Sequence, residues 1–262
     1  MRRAAFHGLV HLILGAAPLV LAGTAAQAAP FLVTYEAPGV QSANGAALCG
    51  ALGGGGCAIG VETFDERPTG SGQQFTTDFG TGGAITGTYT NVQIASADQY
   101  GGAGGSGNYA VAFGFDPYLL NLSTTLPGGI NYFGFWLSAL DAGNVVTFLD
   151  GTNPIYQFTP ADLLGMVGNC PNAYCGNPNA AFKGQDGGEP FVFVNFFDEA
   201  GSFDKVVFAE QPAVGGYESD NHTVGHVTGT SGTPIPEPAS AATLVLGLGA
   251  LAGFTAFRRR WR

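Results

Sequence analysis

From residue 31 onward, short apolar runs alternate with glycine-rich breaks, and the runs have the length and period of strands. Residues 31–36 (Phe-Leu-Val-Thr-Tyr-Glu) predict a first strand and residues 61–64 a second, separated by a Gly/Ala loop over 37–60. Residues 85–94 alternate in part and are rich in Thr, Tyr and Val, as a half-buried strand requires. A glycine-rich break at 101–107 precedes a strand at 109–113. Two aromatic and β-branched runs, 131–138 and 144–149, joined by 139–143, predict a hairpin, and the turn at 150–153 leads into a third strand at 155–158. The nearly continuous apolar run 191–197 predicts a central strand buried on both faces, and strands at 203–208 and 217–224 complete the set. One helix start stands out, with Thr159 as N-cap, Pro160 at the first position and Asp162 in the first turn. Roughly nine or ten short strands at this spacing predict an all-β ectodomain, a jelly-roll or lectin-like β-sandwich.

Both ends of the chain break this pattern. Arg2 and Arg3 precede an apolar run over 9–22, and small residues follow as far as Ala28 and Ala29, the three parts of a secretory signal peptide cut after Ala28. The run is shorter than the ~20 residues of a membrane span and carries Pro18, which argues against an N-terminal anchor. At the other end the uncharged run 239–257 is long enough for one membrane-spanning helix. Arg258, Arg259, Arg260 and Arg262 follow it and belong on the cytoplasmic side, which puts the preceding chain outside. The expected division is a signal peptide at 1–28, a β-sandwich ectodomain at 29–230, a linker at 231–238, a transmembrane helix at 239–257 and a basic tail at 258–262.

Composition narrows the function classes. Between the two ends the only Lys and Arg are Arg67, Lys183 and Lys205, against 18 of the chain's 19 acidic residues, so this part carries a net charge of −15. Nucleic acid is excluded as a partner, because phosphate binding needs a basic footprint. The chain holds 43 glycines with no three-residue period, which rules out collagen and favours strands joined by tight turns. All four cysteines, Cys49, Cys57, Cys170 and Cys175, lie in the exported part. Two local disulfides, Cys49 with Cys57 and Cys170 with Cys175, are expected in an oxidising compartment; a four-cysteine zinc site is the alternative, without the C-x2-C spacing common in such sites.

The tail made of Pro236-Glu237-Pro238, the apolar run and the Arg cluster resembles the PEP-CTERM sorting signal, with Ile235 where that family most often has Val. The resemblance covers about thirty residues, in the required order at the C-terminus. It implies recognition by an exosortase, a single-pass intermediate in the inner membrane, removal of the helix near the motif, and delivery to the cell surface or extracellular matrix in association with extracellular polysaccharide. The block 132–150, the 203–204 segment and Glu218-Ser219-Asp220-Asn221 also look like the ectodomain of a recurring group of exosortase-dependent surface proteins. That resemblance implies a lectin-like sandwich and brings no catalytic residues with it.

Chemistry-bearing motifs are sparse. His222 and His226 are the only imidazoles beyond the signal segment, and no Glu-bearing helical zinc motif accompanies them. There is no G-x-S-x-G elbow, and Gly102-Ala103-Gly104-Gly105-Ser106-Gly107 leads into a strand where a dinucleotide fingerprint needs a helix. No catalytic residue is assigned and a non-enzymatic protein is expected. Structural calcium is the one cofactor suggested, with Glu62, Asp65 and Asp220 as candidate ligands on and beside strands near the two ends of the ectodomain. Tyr174, between two cysteines and beside Asn172, is the candidate glycan contact, whereas Trp136 sits mid-strand and is expected in the core. Two alternatives stay open: a secreted carbohydrate-active hydrolase using paired carboxylates, and a calcium-dependent adhesion or glycan-binding module.

Overall fold

The computed structural model describes residues 31–50, 57–114, 116–213 and 215–234. The signal segment, the Pro236-Glu237-Pro238 motif, the apolar run 239–257 and the terminal arginines lie outside the described residues. Among the described residues no helix is long and apolar enough to cross a membrane.

The architecture is all-β. In chain order the strands are β1 (Phe31–Tyr35), β2 (Ala58–Glu62), β3 (Gly70–Thr77), β4 (Ile85–Ser96), β5 (Asn108–Phe113), β6 (Tyr118–Thr124), β7 (Tyr132–Ser138), β8 (Asn144–Asp150), β9 (Asn153–Phe158), β10 (Val192–Asp198), β11 (Lys205–Glu210), β12 (Gly216–His226) and β13 (Thr233–Pro234). Two short α-helices, α1 (Gly45–Leu48) and α2 (Pro160–Val167), lie between them. The strands form one antiparallel sheet in the order β13-β1-β10-β7-β12-β5-β4-β6-β11-β8-β9, with β2 added to β12 and β3 to β4. The long strand β4 pairs with β6 over Ile85–Thr90 and with β5 over Gln93–Ser96, and so carries the sheet round on itself. The result is sandwich-like: β1, β10, β7 and β12 face β8, β11, β6 and β4 across an aromatic core. Phe135 packs on Phe208 at 5.1 Å and Phe148 on Phe196 at 5.0 Å, although their strands are far apart in the ladder.

The alternation of apolar and polar residues is expressed directly on β11, where Val206 and Phe208 point into the core and Lys205 and Val207 point away from it. Every residue of β7 and β10 is buried, in keeping with their near-continuous apolar sequence. Their second face is covered by loops, with Trp136, Phe191 and Phe193 packed against Ala43 and Ala103. The helix starts at Pro160 as its sequence predicts, although the Thr159 side chain makes no capping bond.

Residues 131–138 and 144–149 are strands but not partners. β7 pairs with β10 and β12, while β8 pairs with β11 and β9. The five-residue connection crosses from one layer to the other, and Phe133 meets Phe148 across the core at 6.0 Å. Two runs with one apolar stripe each can bury it side by side or face to face, and periodicity does not distinguish these. β3 and β6 enlarge the predicted set. β3 is a polar, Gly-containing edge strand and carries little of the apolar signal by which strands are read.

Candidate functional site

The cysteines close into Cys49–Cys57 and Cys170–Cys175, and no described cysteine is free. Each bond staples a loop rich in small or polar residues. Asn172 reinforces the second loop, its amide donating to the carbonyls of Val167, Gly168 and Asn169.

The pairing of β2 with β12 brings Glu62 towards Asp220, and both Glu62 and Asp65 act electrostatically on it. His222 stands directly opposite Glu62 in the ladder. Each of the three carboxylates is bound within the protein. Glu62 accepts from Arg67 at 2.6 Å and from the Phe64 amide at 3.0 Å. Asp65 accepts from the Asn108 amide, and Asp220 from the amides of Ala103 at 2.7 Å and Asn221 at 2.6 Å. Burial lifts the Asp220 carboxyl to about 7, the two amides pull it down, and Asp65 and Glu62 push it up again. Among the described residues no three His, Cys, Asp or Glu side chains are grouped so as to hold a metal ion.

A bulge between Asp220 and Thr223, with Asn221 at φ 50°, keeps Asp220 on the outer face of β12 while turning His222 into the core. His222 is wholly buried among Phe64, Tyr89, Phe133 and Phe208, and its Nδ1 meets the Tyr89 hydroxyl at 2.9 Å. Burial lowers its pKa to about 3, so the imidazole stays neutral. His226 bonds the Gly129 carbonyl and does not join it. Tyr174 is half-buried; its hydroxyl donates to the Glu36 carbonyl at 3.2 Å and its ring packs edge-on against Tyr35 at 6.0 Å. Trp136 is fully buried, as its place in an apolar strand predicts.

A different set of residues forms an open concavity. A cavity of about 550 Å³ is lined by Asp141, Glu189 and Glu218, by Tyr100 and Phe113, and by Ala139, Ala213, Gly215 and Gly216. Its carboxylates come from three places: the crossover after β7, the loop before β10, and β12 itself. The Asp141 and Glu218 carboxylates lie close over the backbone of Gly215 and Gly216, where a Cβ would make them shift. Glu218 is 5% exposed, and burial pushes its carboxyl up to about 8; its own amide opposes this, and Asp141, Glu210 and Glu189 add to it. Asp141 is raised by burial, and Glu189 by burial and then by Asp141 and Asp186. None of the cavity's lining residues is basic. Phe113 is 48% exposed and Tyr100 42%, two of the four exposed large hydrophobics among the described residues. Sequence reasoning passed over this set. The one local signal was Glu218 standing in a buried strand behind a Gly-Gly pair; Asp141 and Glu189 are distant in the chain and only the fold joins them.

No family model matches the chain, and no curated protein is significantly similar to it. Among solved structures the chain is similar to the K2 cleaved adhesin domain of Lys-gingipain, at 16% identity and a TM-score of 0.34, over 64% of this chain and 99% of that one.

Proposed function

We infer that this chain is an exported cell-surface or extracellular-matrix protein, sorted by an exosortase, non-enzymatic, and associated with extracellular polysaccharide through a lectin-like, jelly-roll-type sandwich. The ordered tail of Pro236-Glu237-Pro238, apolar run and Arg cluster carries the reading. Two closed disulfides support an oxidising location. β13 pairs with β1 through Thr233 and Pro234, and the motif begins two residues further along the chain, at Pro236.

The test is intact mass and fractionation of the native protein, with and without Pro236, Glu237 and Pro238 changed to alanine. The reading expects a wild type that begins at Ala29, ends near the motif and leaves the membrane, and a variant that stays. Retention of Arg262 and of the membrane location in both would overturn it.

A second reading, a secreted carbohydrate-active hydrolase, is favoured by one observation: Glu218 is held near protonation at neutral pH in a cavity that also holds Asp141. A carboxylic acid beside a carboxylate is the equipment for cleaving a glycosidic bond. Release of reducing ends from a polysaccharide, lost in Glu218→Gln, would establish this reading over the first.

A further inference from the structure

We propose that the cavity bearing Asp141, Glu189 and Glu218 binds an amino-sugar unit of a polysaccharide, the ammonium group entering among the carboxylates and the ring lying against Phe113 and Tyr100. The proposal rests on the reading of a glycan-associated surface protein and names the class of glycan.

Two observations point to an organic cation. Among the described residues no basic side chain lines the cavity. Of the described bases, Arg67 is paired with Glu62, Lys205 reaches the Gly151 carbonyl and Lys183 lies against the Pro178 carbonyl. Glu210 also acts on Glu218, so the arrangement repels itself until a cation arrives. The second is the pair of exposed rings in the cavity wall, which suits the apolar face of a pyranose and the positive charge beside it.

The same features select against a bare metal ion. Calcium takes six to eight oxygen ligands. This cavity offers separated carboxylates between alanines, glycines and two aromatic rings, and no metal-holding group occurs among the described residues. A hexosamine fits because its ammonium is a three-donor point charge on a ring with an apolar face. An N-acetylated unit lacks the charge that this acidic wall attracts.

The test is titration calorimetry of the full chain in detergent with a glucosamine tetramer and with its N-acetylated counterpart. Asp141→Asn, Glu189→Gln and Phe113→Ala are measured beside the wild type, each checked for an unchanged melting curve. The expected result is binding of the free-amine tetramer at least about tenfold tighter than the acetylated one. Loss of either carboxylate should weaken it about tenfold, and loss of the Phe113 ring about threefold. Equal binding of the two tetramers, tighter binding of a lysine-rich peptide, binding abolished by a calcium chelator, or variants indistinguishable from wild type would each overturn the proposal. Binding of the acetylated tetramer with all variants unaffected would sink the cavity as the site and leave glycan association standing. Binding of the free-amine tetramer by a protein that fractionation shows fixed in the inner membrane would leave the cavity standing and remove the sorting reading.

Discussion

The two acidic groups of this domain lie on elements packed against β12, and they differ in what they touch. Glu62, Asp65 and Asp220 are tied to Arg67 and to backbone amides, so their charges hold β2, the 65–67 turn and the 102–108 loop against the sheet. Asp141, Glu189 and Glu218 line a cavity with no basic residue in its wall; burial raises all three, as it raises Asp220 in the first group, so it is the missing basic neighbour that sets them apart. Carboxylates whose partners come from the protein are framework. Carboxylates that burial and mutual repulsion hold in an unfavourable state mark the place where a partner from outside gains most.

The largest effect is expected on the acid side of the framework. His222 is neutral with a folded pKa of about 3 against an ordinary 6.5, so the unfolded chain binds an extra proton between those values. Its contribution is complete above pH 6.5 and falls with descending pH toward 3, by up to roughly 1.4 kcal/mol per pH unit. Urea unfolding across pH 3–7 checks it: His222→Phe, which keeps a ring in the same aromatic cage, should flatten this limb. Next is Glu62→Ala, which leaves the Arg67 guanidinium and the Phe64 amide without their acceptor and should cost about 2–3 kcal/mol by urea unfolding at pH 7. Asp141→Asn in the same assay should cost nothing or stabilise.

Glu218 has the opposite pH sign to His222. Its folded pKa of about 8 exceeds the ordinary 4.5, so the folded state holds the extra proton and stability is lost as pH rises from 4.5 through 8. Three carboxylates, Asp141, Glu210 and Glu189, act on it from the elements around it. Glu218→Gln should match the wild type below pH 4.5 and exceed it increasingly as pH rises to 8, by up to roughly 1.4 kcal/mol per pH unit, in the same unfolding assay. The smallest effect is at the cavity rim. Phe113→Ala should leave stability within about 0.5 kcal/mol, because the ring is half-exposed and its work lies in binding.

The framework was far more legible in the sequence than the cavity. Apolar periodicity located β1, β4, β5, β9, β10 and β12 within a few residues, because each buries a stripe that two-residue spacing reveals. Cysteine spacing and compartment gave both disulfides. The pairing of β2 with β12 puts Glu62 and Asp220 on neighbouring strands, and the amides that satisfy Asp65 and Asp220 come from the 102–108 loop and the β12 bulge, which no pattern announces. The apparent hairpin at 131–149 failed because side-by-side and face-to-face burial of two apolar runs look alike in one dimension. The cavity was invisible for a related reason: residues 141, 189 and 218 share nothing in sequence, and their charge signals chemistry only once the fold removes their counter-ions.

The most direct test of the division between the two acidic groups is a carbon-13 NMR titration of the carboxyl resonances of Glu218, Asp141, Glu62 and Asp65 with glucosamine at neutral pH. The account expects Glu218 and Asp141 to shift, Glu218 toward its ionised form as the ammonium enters, while Glu62 and Asp65 stay where they are. Movement of Glu62 or Asp65 with Glu218 still, or no movement at any of the four, would contradict it.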